Sequence, residues 1–217
     1  MVVTCPIWVR WILNHPLKFL RLSLGIIIDR HLRWDLHVKY IIKKIRVFIQ
    51  RFYVLKQYLQ IDQLKTLYYA LVQSQLSYGI IGWGGIHENH LHNLNVLQKW
   101  ILKIIFEKKI TFPSDSLYME AEIFDVRQLF AFTLLMSIHK NKIKIEKIEH
   151  KYITRTKEVC IFTPRSNKSV GQRCALYLAP RLYNILPETE KKTCIQKYLN
   201  LNWKNGWEIM KGVVFII

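Results

Sequence analysis

DLHVKYIIKKIRVFIQRFYVLKQYL, residues 35–59, decides the fold because its apolar and basic residues each repeat with the period of an α-helix. The apolar residues recur at steps of three and four, which places them in one continuous stripe. They are Val38, Ile41, Ile45, Phe48, Phe52, Leu55 and Leu59. The stripe predicts a long amphipathic helix that buries one side, with Asp35 as its N-cap.

A second face of this helix is basic. Lys39, Lys43 and Arg46 recur at the helical spacing away from the stripe, and Lys44 and Arg51 lie near them. Cations one turn apart can contact successive phosphates of a nucleic-acid strand. Two other interpretations stay open: solvated charges on the outside of a helical bundle, or a basic amphipathic helix lying on an anionic membrane.

The composition favours a polyanionic partner. The 217 residues include 33 Lys and Arg against 15 Asp and Glu, a formal net charge of +18. A compact protein with this charge repels itself, so we expect nucleic acid first and an anionic membrane second. The 51% hydrophobic content excludes a disordered tail. No run of eighteen uncharged apolar residues occurs, so we expect a soluble protein. The four cysteines have no C-x-x-C spacing, which favours reduced cysteines in an intracellular protein.

The remaining segments predict a mainly α chain. Residues 24–28 read as a short strand, and further helices are expected over residues 61–78 and 88–106. Ser114 is expected to cap a short helical turn. Asp125 and Gln128 form a capping box that starts a helix reaching about residue 139.

Residues 142–192 are basic, poorly periodic and interrupted by proline and glycine. They predict short elements and loops. The fold class is therefore a helical bundle with a short N-terminal β segment and an irregular basic C-terminal part.

The sequence contains no motif typical of a catalytic or metal site. No two aspartates are adjacent, as a two-metal phosphoryl-transfer site requires, and Asp29 is expected to form a turn. His87, His90 and His92 match no closed zinc set; we expect capping, hydrogen-bonding or phosphate contacts. The glycine-rich residues 79–85 lack the Lys-Ser or Lys-Thr of a P-loop and predict tight turns around a tryptophan.

A series of short motifs, in order, resembles the segment just beyond the catalytic core of reverse transcriptases from non-LTR retrotransposons of the LINE and jockey type. The motifs are LGIIID at 24–29, LRW at 32–34, LYYALV at 67–72, SYG at 77–79, LQK at 97–99, PSD at 113–115, HKY at 150–152 and APRLYNILP at 179–187. His37 and Trp83 match as well, whereas Ser23 stands where the family usually has an aromatic residue.

The resemblance implies three regions: residues 1–30 as an unmatched N-terminus and the end of the palm, 31–141 as a thumb-like helical bundle, and 142–217 as a basic connector. In such polymerases the thumb holds the template–primer duplex by its backbone. The family's catalytic aspartates lie upstream of the matching segment. The resemblance thus implies a fragment of an RNA-directed DNA polymerase that is inactive alone. The intact polymerase would use Mg²⁺, but the resemblance assigns no metal ligand or other cofactor to this chain.

We expect this fragment to contact the backbone of an RNA–DNA hybrid or other duplex, with the palm and fingers of the parent polymerase as a further partner. No small-molecule substrate is expected, and the location would be nuclear or cytoplasmic. The expected nucleic-acid-binding residues are Lys39, Lys43, Lys44, Arg46, Arg51, Lys99, Lys103, Arg155 and Arg173, with Tyr40, Tyr53 and Trp100 available for stacking. The alternatives are a transposon relic without function and a membrane-surface protein.

Overall fold

The computed structural model describes residues 21–140 and 161–186. These ranges are mainly helical after a short β-hairpin, so the predicted fold class is confirmed. The elements are β1 (Arg21–Ser23), β2 (Ile26–Ile28), α1 (Asp35–Leu55), α2 (Ile61–Tyr68), a π-helical turn (Tyr69–Gln73), α3 (Ser74–Ser77), α4 (Ile80–Trp83), α5 (Glu88–Ile105), α6 (Ser114–Ala121), α7 (Val126–His139), α8 (Ser169–Gln172) and α9 (Ala175–Ile185).

The N-terminal strand is shorter than its sequence predicts and belongs to a hairpin. β1 and β2 pair antiparallel with Ser23 opposite Ile26, which leaves Leu24 and Gly25 as a two-residue turn. Both turn residues have positive φ, 49° and 82°, the conformation that suits the twist of paired strands. Tyr78 then donates a 2.6 Å hydrogen bond to the carbonyl of Leu24 and holds the turn against the helices.

The long helix α1 buries the stripe that its sequence predicts. Val38, Ile41, Ile45 and Phe52 are buried, and Phe48 and Leu55 are half-buried. Leu59, the last predicted member of the stripe, is also half-buried but lies beyond the end of α1 at Leu55. α1 packs along α5, which buries its own apolar side in the same core. The largest fully buried side chains of this core are Trp83, Tyr68, Phe52, Phe124 and Phe130.

Two predicted caps are wrong. Asp35 is the first residue of α1, and its N-cap is Trp34, with a left-handed φ of 66°. The carboxylate of Asp29 accepts the N–H groups of Arg33 at 3.1 Å and Trp34 at 3.0 Å, so Asp29 stabilises this entry and forms the expected turn. Ser114 is likewise the first helical residue of α6, after an N-cap at Pro113.

The predicted capping box at the start of α7 is confirmed. The Asp125 side chain accepts a 2.7 Å hydrogen bond from the backbone of Gln128, whose side chain accepts one from the backbone of Asp125 at 3.0 Å. The pKa of the Asp125 carboxyl is raised, because the effect of its burial exceeds the opposing effect of the hydrogen bond from the Gln128 backbone. α7 therefore begins at a partly desolvated carboxyl that is held by its own helix.

The second predicted helix runs from α2 into α3 through one π-helical turn. The side chain of Ser74 donates to the carbonyl of Ala70 at 2.5 Å, and Tyr68 donates to the side chain of Gln73 at 3.3 Å. Local hydrogen bonds thus accompany the wider turn. The apolar periodicity did not indicate the π-helical turn, because buried residues continue at intervals of one turn before and after it. They are Leu64 and Tyr68 in α2 and Leu76 in α3.

The glycine-rich connector allows close packing around Trp83, as predicted. Trp83 is fully buried and donates to the carbonyl of Tyr78 at 3.0 Å. A Cβ on Gly84 would lie 2.4 Å from the ring of Phe130, and one on Gly85 would lie 2.1 Å from the carbonyl oxygen of Arg173. The second contact brings residues 161–186 against the rest of the described structure.

The C-terminal described segment is more regular than an irregular connector. α9 spans eleven residues and packs against α7. Leu178, Ala179, Leu182 and Leu186 belong to the same apolar core as α1 and α5. Part of the motif at 179–187 is therefore a buried helical face.

Candidate nucleic-acid interface

Three cations lie in one line on the outer face of α1. Lys39, Lys43 and Arg46, here called the basic row, are exposed. At 3.6 residues per turn they fall within roughly 60° of one another around the helix axis, on the side away from the buried stripe. At a rise of about 1.5 Å per residue, they span about 10 Å along that axis.

The basic row has no acidic counterpart in the part of the chain that the structure describes. The ion pairs in that part join Lys108 to Glu120 and Arg127 to Glu88, and the imidazole of His90 contacts the carboxylate of Asp35. None of them involves a cation of α1. Because exposed cations without carboxylate partners keep their full attraction for an anion, the row is free to meet phosphate groups.

Lys44 and Arg51 lie on a flank of α1 and already have partners. The ammonium of Lys44 donates to Gln75 at 3.3 Å and lies 4.6 Å from the centre of the Tyr40 ring. The guanidinium of Arg51 lies 5.8 Å from the centre of the Phe48 ring. These weak contacts leave both side chains exposed, but on a different face from the basic row.

The other predicted binding residues are dispersed. Lys99 and Lys103 are half-buried on α5, and the ammonium of Lys103 donates to the carbonyl of Ile110, in the loop after that helix. Arg173 follows α8 and donates to the carbonyl of Ser169 at 3.1 Å. Arg155 lies outside the described residues.

Two of the three aromatic residues expected to stack are available. Tyr53 and Trp100 are 58% and 54% exposed, which leaves part of each ring open to a base or sugar. The ammonium of Lys56 lies 5.0 Å from the centre of the Tyr53 ring, so one part of that ring is already in contact with a cation. Tyr40 is half-buried beneath Lys44. The usable aromatic surface is thus on the C-terminal half of α1 and on α5.

The outer face of α1 also carries apolar residues that the sequence reading did not single out. Leu36, Val47 and Val54 are 43–56% exposed. At 3.6 residues per turn they lie within about 40° of Lys43 around the helix axis, and roughly 6–16 Å from it along that axis. These residues are apolar but do not follow the spacing of the buried stripe. That mismatch in the sequence indicates that they are exposed.

The histidines at the start of α5 have separate roles. Nε2 of His90 lies 3.1 Å from the carboxylate of Asp35, which links the first turns of α5 and α1. His87 and His92 are exposed. Within residues 21–140 and 161–186, no three His, Cys, Asp or Glu side chains approach closely enough to hold a metal ion.

Several motif residues behind the family resemblance lie in the interior. Gln98 is fully buried and donates to the hydroxyl of Tyr68 at 2.7 Å and to the carbonyl of Phe124 at 2.8 Å. Its side-chain oxygen accepts from the hydroxyl of Tyr118 at 3.2 Å. Burial raises the pKa of both tyrosines well above the usual 10, so they remain neutral donors. These buried residues stabilise the helical bundle and do not contribute to its basic surface.

None of the helices in the two described ranges has both the length and the apolar character needed to cross a membrane. Comparison of the chain with protein-family models, with curated proteins and with solved structures gave no significant match.

Proposed function

We propose that this chain is the thumb and connector part of a non-LTR retrotransposon reverse transcriptase, which binds nucleic acid and lacks the catalytic palm. The observation that carries the proposal is the basic row, three exposed cations in line on the face of α1 opposite the core. The ordered motifs from residue 24 to residue 187 support the same family. The partner would be an RNA–DNA hybrid or another duplex.

Binding by the basic row would be tolerant of sequence. Lysine and arginine on phosphates fix the position of a duplex without reading its bases. Each phosphate that a cation neutralises releases counterions, so the affinity falls as salt increases. Tyr53 and Trp100 can add stacking, which is also indifferent to base identity.

The direct test compares two variants of equal charge. Replacing Lys39, Lys43 and Arg46 by Glu should weaken binding to an RNA–DNA hybrid at least tenfold. The matched control replaces Lys109, Lys140 and Lys168, all exposed and outside α1, by Glu. Since both variants change the net charge by the same amount, only a local role of α1 makes the first bind more weakly.

The salt dependence gives a second readout. If three phosphate contacts are lost, the slope of log K against log salt should become shallower by about 2–3. Equal affinities and equal slopes for the two variants would remove α1 from the interface.

We propose no polymerase activity for the chain by itself. Asp29 and Asp125 bind backbone N–H groups, and Asp35 pairs with His90, so these carboxylates serve the fold. A primer-extension assay with Mg²⁺ should show no incorporation. Nucleotide addition by the purified protein would contradict this.

One observation favours a second candidate function, attachment to a membrane surface. Leu36, Val47 and Val54 are exposed on the same side of α1 as the basic row, so this side carries both apolar and basic residues. Flotation with anionic vesicles should then require both the valines and the lysines. Hybrid binding, in contrast, should tolerate Val47→Ser and Val54→Ser.

The relic alternative is tested by folding. A transposon fragment that needs its missing palm should lack a cooperative thermal transition by circular dichroism. The shared core of α1, α5, α7 and α9 leads us to expect one cooperative helical transition.

A further inference from the structure

A cavity of about 560 Å³ lies between the connector before α5, the start of α7 and the segment containing α8 and α9. Three arginines line it, and we call it the arginine pocket: Arg127, Arg173 and Arg181. Gly85 and Arg173 both line it, and their backbones approach each other too closely for a side chain at position 85. It is separate from the basic row.

One arginine of the pocket is part of the fold. Arg127 is buried and donates to the carboxylate of Glu88 at 2.8 Å and to the carbonyl of Ile86 at 3.2 Å. The neighbouring Asp125 accepts from the backbone of its own helix. The charge of Arg127 is therefore balanced by Glu88, and Asp125 is held at the start of α7.

Against the carboxylates of Glu88 and Asp125, the three arginines leave a surplus of one formal positive charge at the pocket wall. No ion pair within residues 21–140 and 161–186 joins Arg173 or Arg181 to a carboxylate. Arg181 is exposed, and Arg173 is half-buried with its Nε on the carbonyl of Ser169. Arginines suit a phosphate, because their planar guanidinium groups bind its oxygens in pairs.

We propose that the arginine pocket binds a 5′-phosphate monoester of nucleotide size. A cavity of this volume falls in the range that encloses such ligands. Ile86 and Leu178 add apolar surface for the rest of the ligand, and Asn95 adds a polar group. The phosphate has two sources, a free nucleotide or the 5′ end of a bound strand; only the second rests on the proposed function.

The first experiment titrates the full chain with AMP and with adenosine by calorimetry. AMP should bind and adenosine should bind at least tenfold more weakly, because only AMP carries the phosphate. Arg173→Gln with Arg181→Gln should weaken AMP binding at least tenfold. The matched control is Arg165→Gln with Lys168→Gln, which removes two exposed cations of the same segment outside this cavity and should bind AMP normally.

The second experiment identifies the source of the phosphate. If strand ends are bound, an RNA–DNA hybrid with a 5′-phosphate should bind more tightly than one with a 5′-hydroxyl, and the double Gln variant should abolish that difference. The charge-reversed basic row should leave AMP binding unchanged, so failure of the proposed function is distinguished from failure of the pocket.

The variants are chosen to keep the fold. Arg181→Gln alone, at an exposed position, gives a second variant if the double change lowers helicity. The proposal is overturned if AMP and adenosine bind alike, or if neither AMP nor the 5′-phosphate has an effect. It is also overturned if the Gln variants bind AMP as the unaltered chain does.

Discussion

Nδ1 of His37 accepts a 3.3 Å hydrogen bond from the backbone N–H of Ile27 and so ties α1 to the hairpin. His37 is buried between the rings of Trp34 and Trp83, whose centres lie 6.2 Å and 5.9 Å away. Residues 22 and 27 face each other in the hairpin, next to the closing pair, so the N–H of Ile27 points to the outer edge of β2. The imidazole therefore accepts the hydrogen bond from the N–H of Ile27 that a third strand would need in order to pair with β2.

This contact predicts a loss of stability in mild acid. Burial, and then the charge of Lys44, lower the pKa of His37 from its usual 6.5. The unfolded chain takes up a proton near pH 6.5, whereas the folded chain does so only at lower pH. The contribution of neutral His37 is thus present above pH 6.5 and is lost as the pH falls below it, by at most about 1.4 kcal/mol per pH unit.

Urea unfolding at pH 7.5, 6.5 and 5.5 measures this effect. His37→Asn keeps an acceptor near the position of Nδ1 but cannot titrate, so its stability should fall less between pH 6.5 and 5.5. The raised pKa of Asp125 is common to both proteins and cancels in the comparison. Identical pH profiles would show that His37 does not titrate differently on folding.

The buried amide of Gln98 predicts a large and coupled effect. Gln98→Leu removes the hydrogen bond to the carbonyl of Phe124 and leaves the buried hydroxyl of Tyr118 without its Gln98 acceptor. Since an unsatisfied buried polar group costs about 1–3 kcal/mol, the free energy of unfolding should fall by about 3 kcal/mol. Chemical denaturation checks this.

A double-mutant cycle separates the hydrogen bonds from side-chain packing. Tyr118→Phe should destabilise the unaltered protein more than it destabilises the Gln98→Leu variant, because the hydroxyl has already lost its acceptor there. Additive losses would mean that the two side chains act independently.

The glycines around α4 predict opposite responses to alanine. Gly84→Ala places a methyl group 2.4 Å from Phe130 and 2.7 Å from the carbonyl of Ile80, so overpacking should cost about 1–3 kcal/mol. The nearest atom to a methyl group on Gly82 is 3.7 Å away, on Trp34. Gly82→Ala should therefore be neutral or stabilising by up to about 1 kcal/mol, since alanine favours helix. Equal melting temperatures for the two variants would contradict this packing.

Local sequence was sufficient for some features. The stripe of α1, its exposed basic row and the capping box of Asp125 depend on residues within a few positions of one another. Helical periodicity is a local property, so these could be read from the chain alone. The same reading misplaced the start of α1 because the carboxylate that stabilises it belongs to Asp29, upstream of a turn with left-handed residues.

The candidate sites divide in the same way. The basic row of α1 could be predicted from the sequence, because a helix repeats every 3.6 residues regardless of the elements that it packs against. The hydrogen bonds of His37 and Gln98 join residues 10 to 30 positions apart, and the arginine pocket joins residues as far apart as Gly85 and Arg181. Packing of the elements brings these residues together. Periodicity indicates which side of a helix is buried, but only the packed arrangement of the helices determines which polar groups meet there.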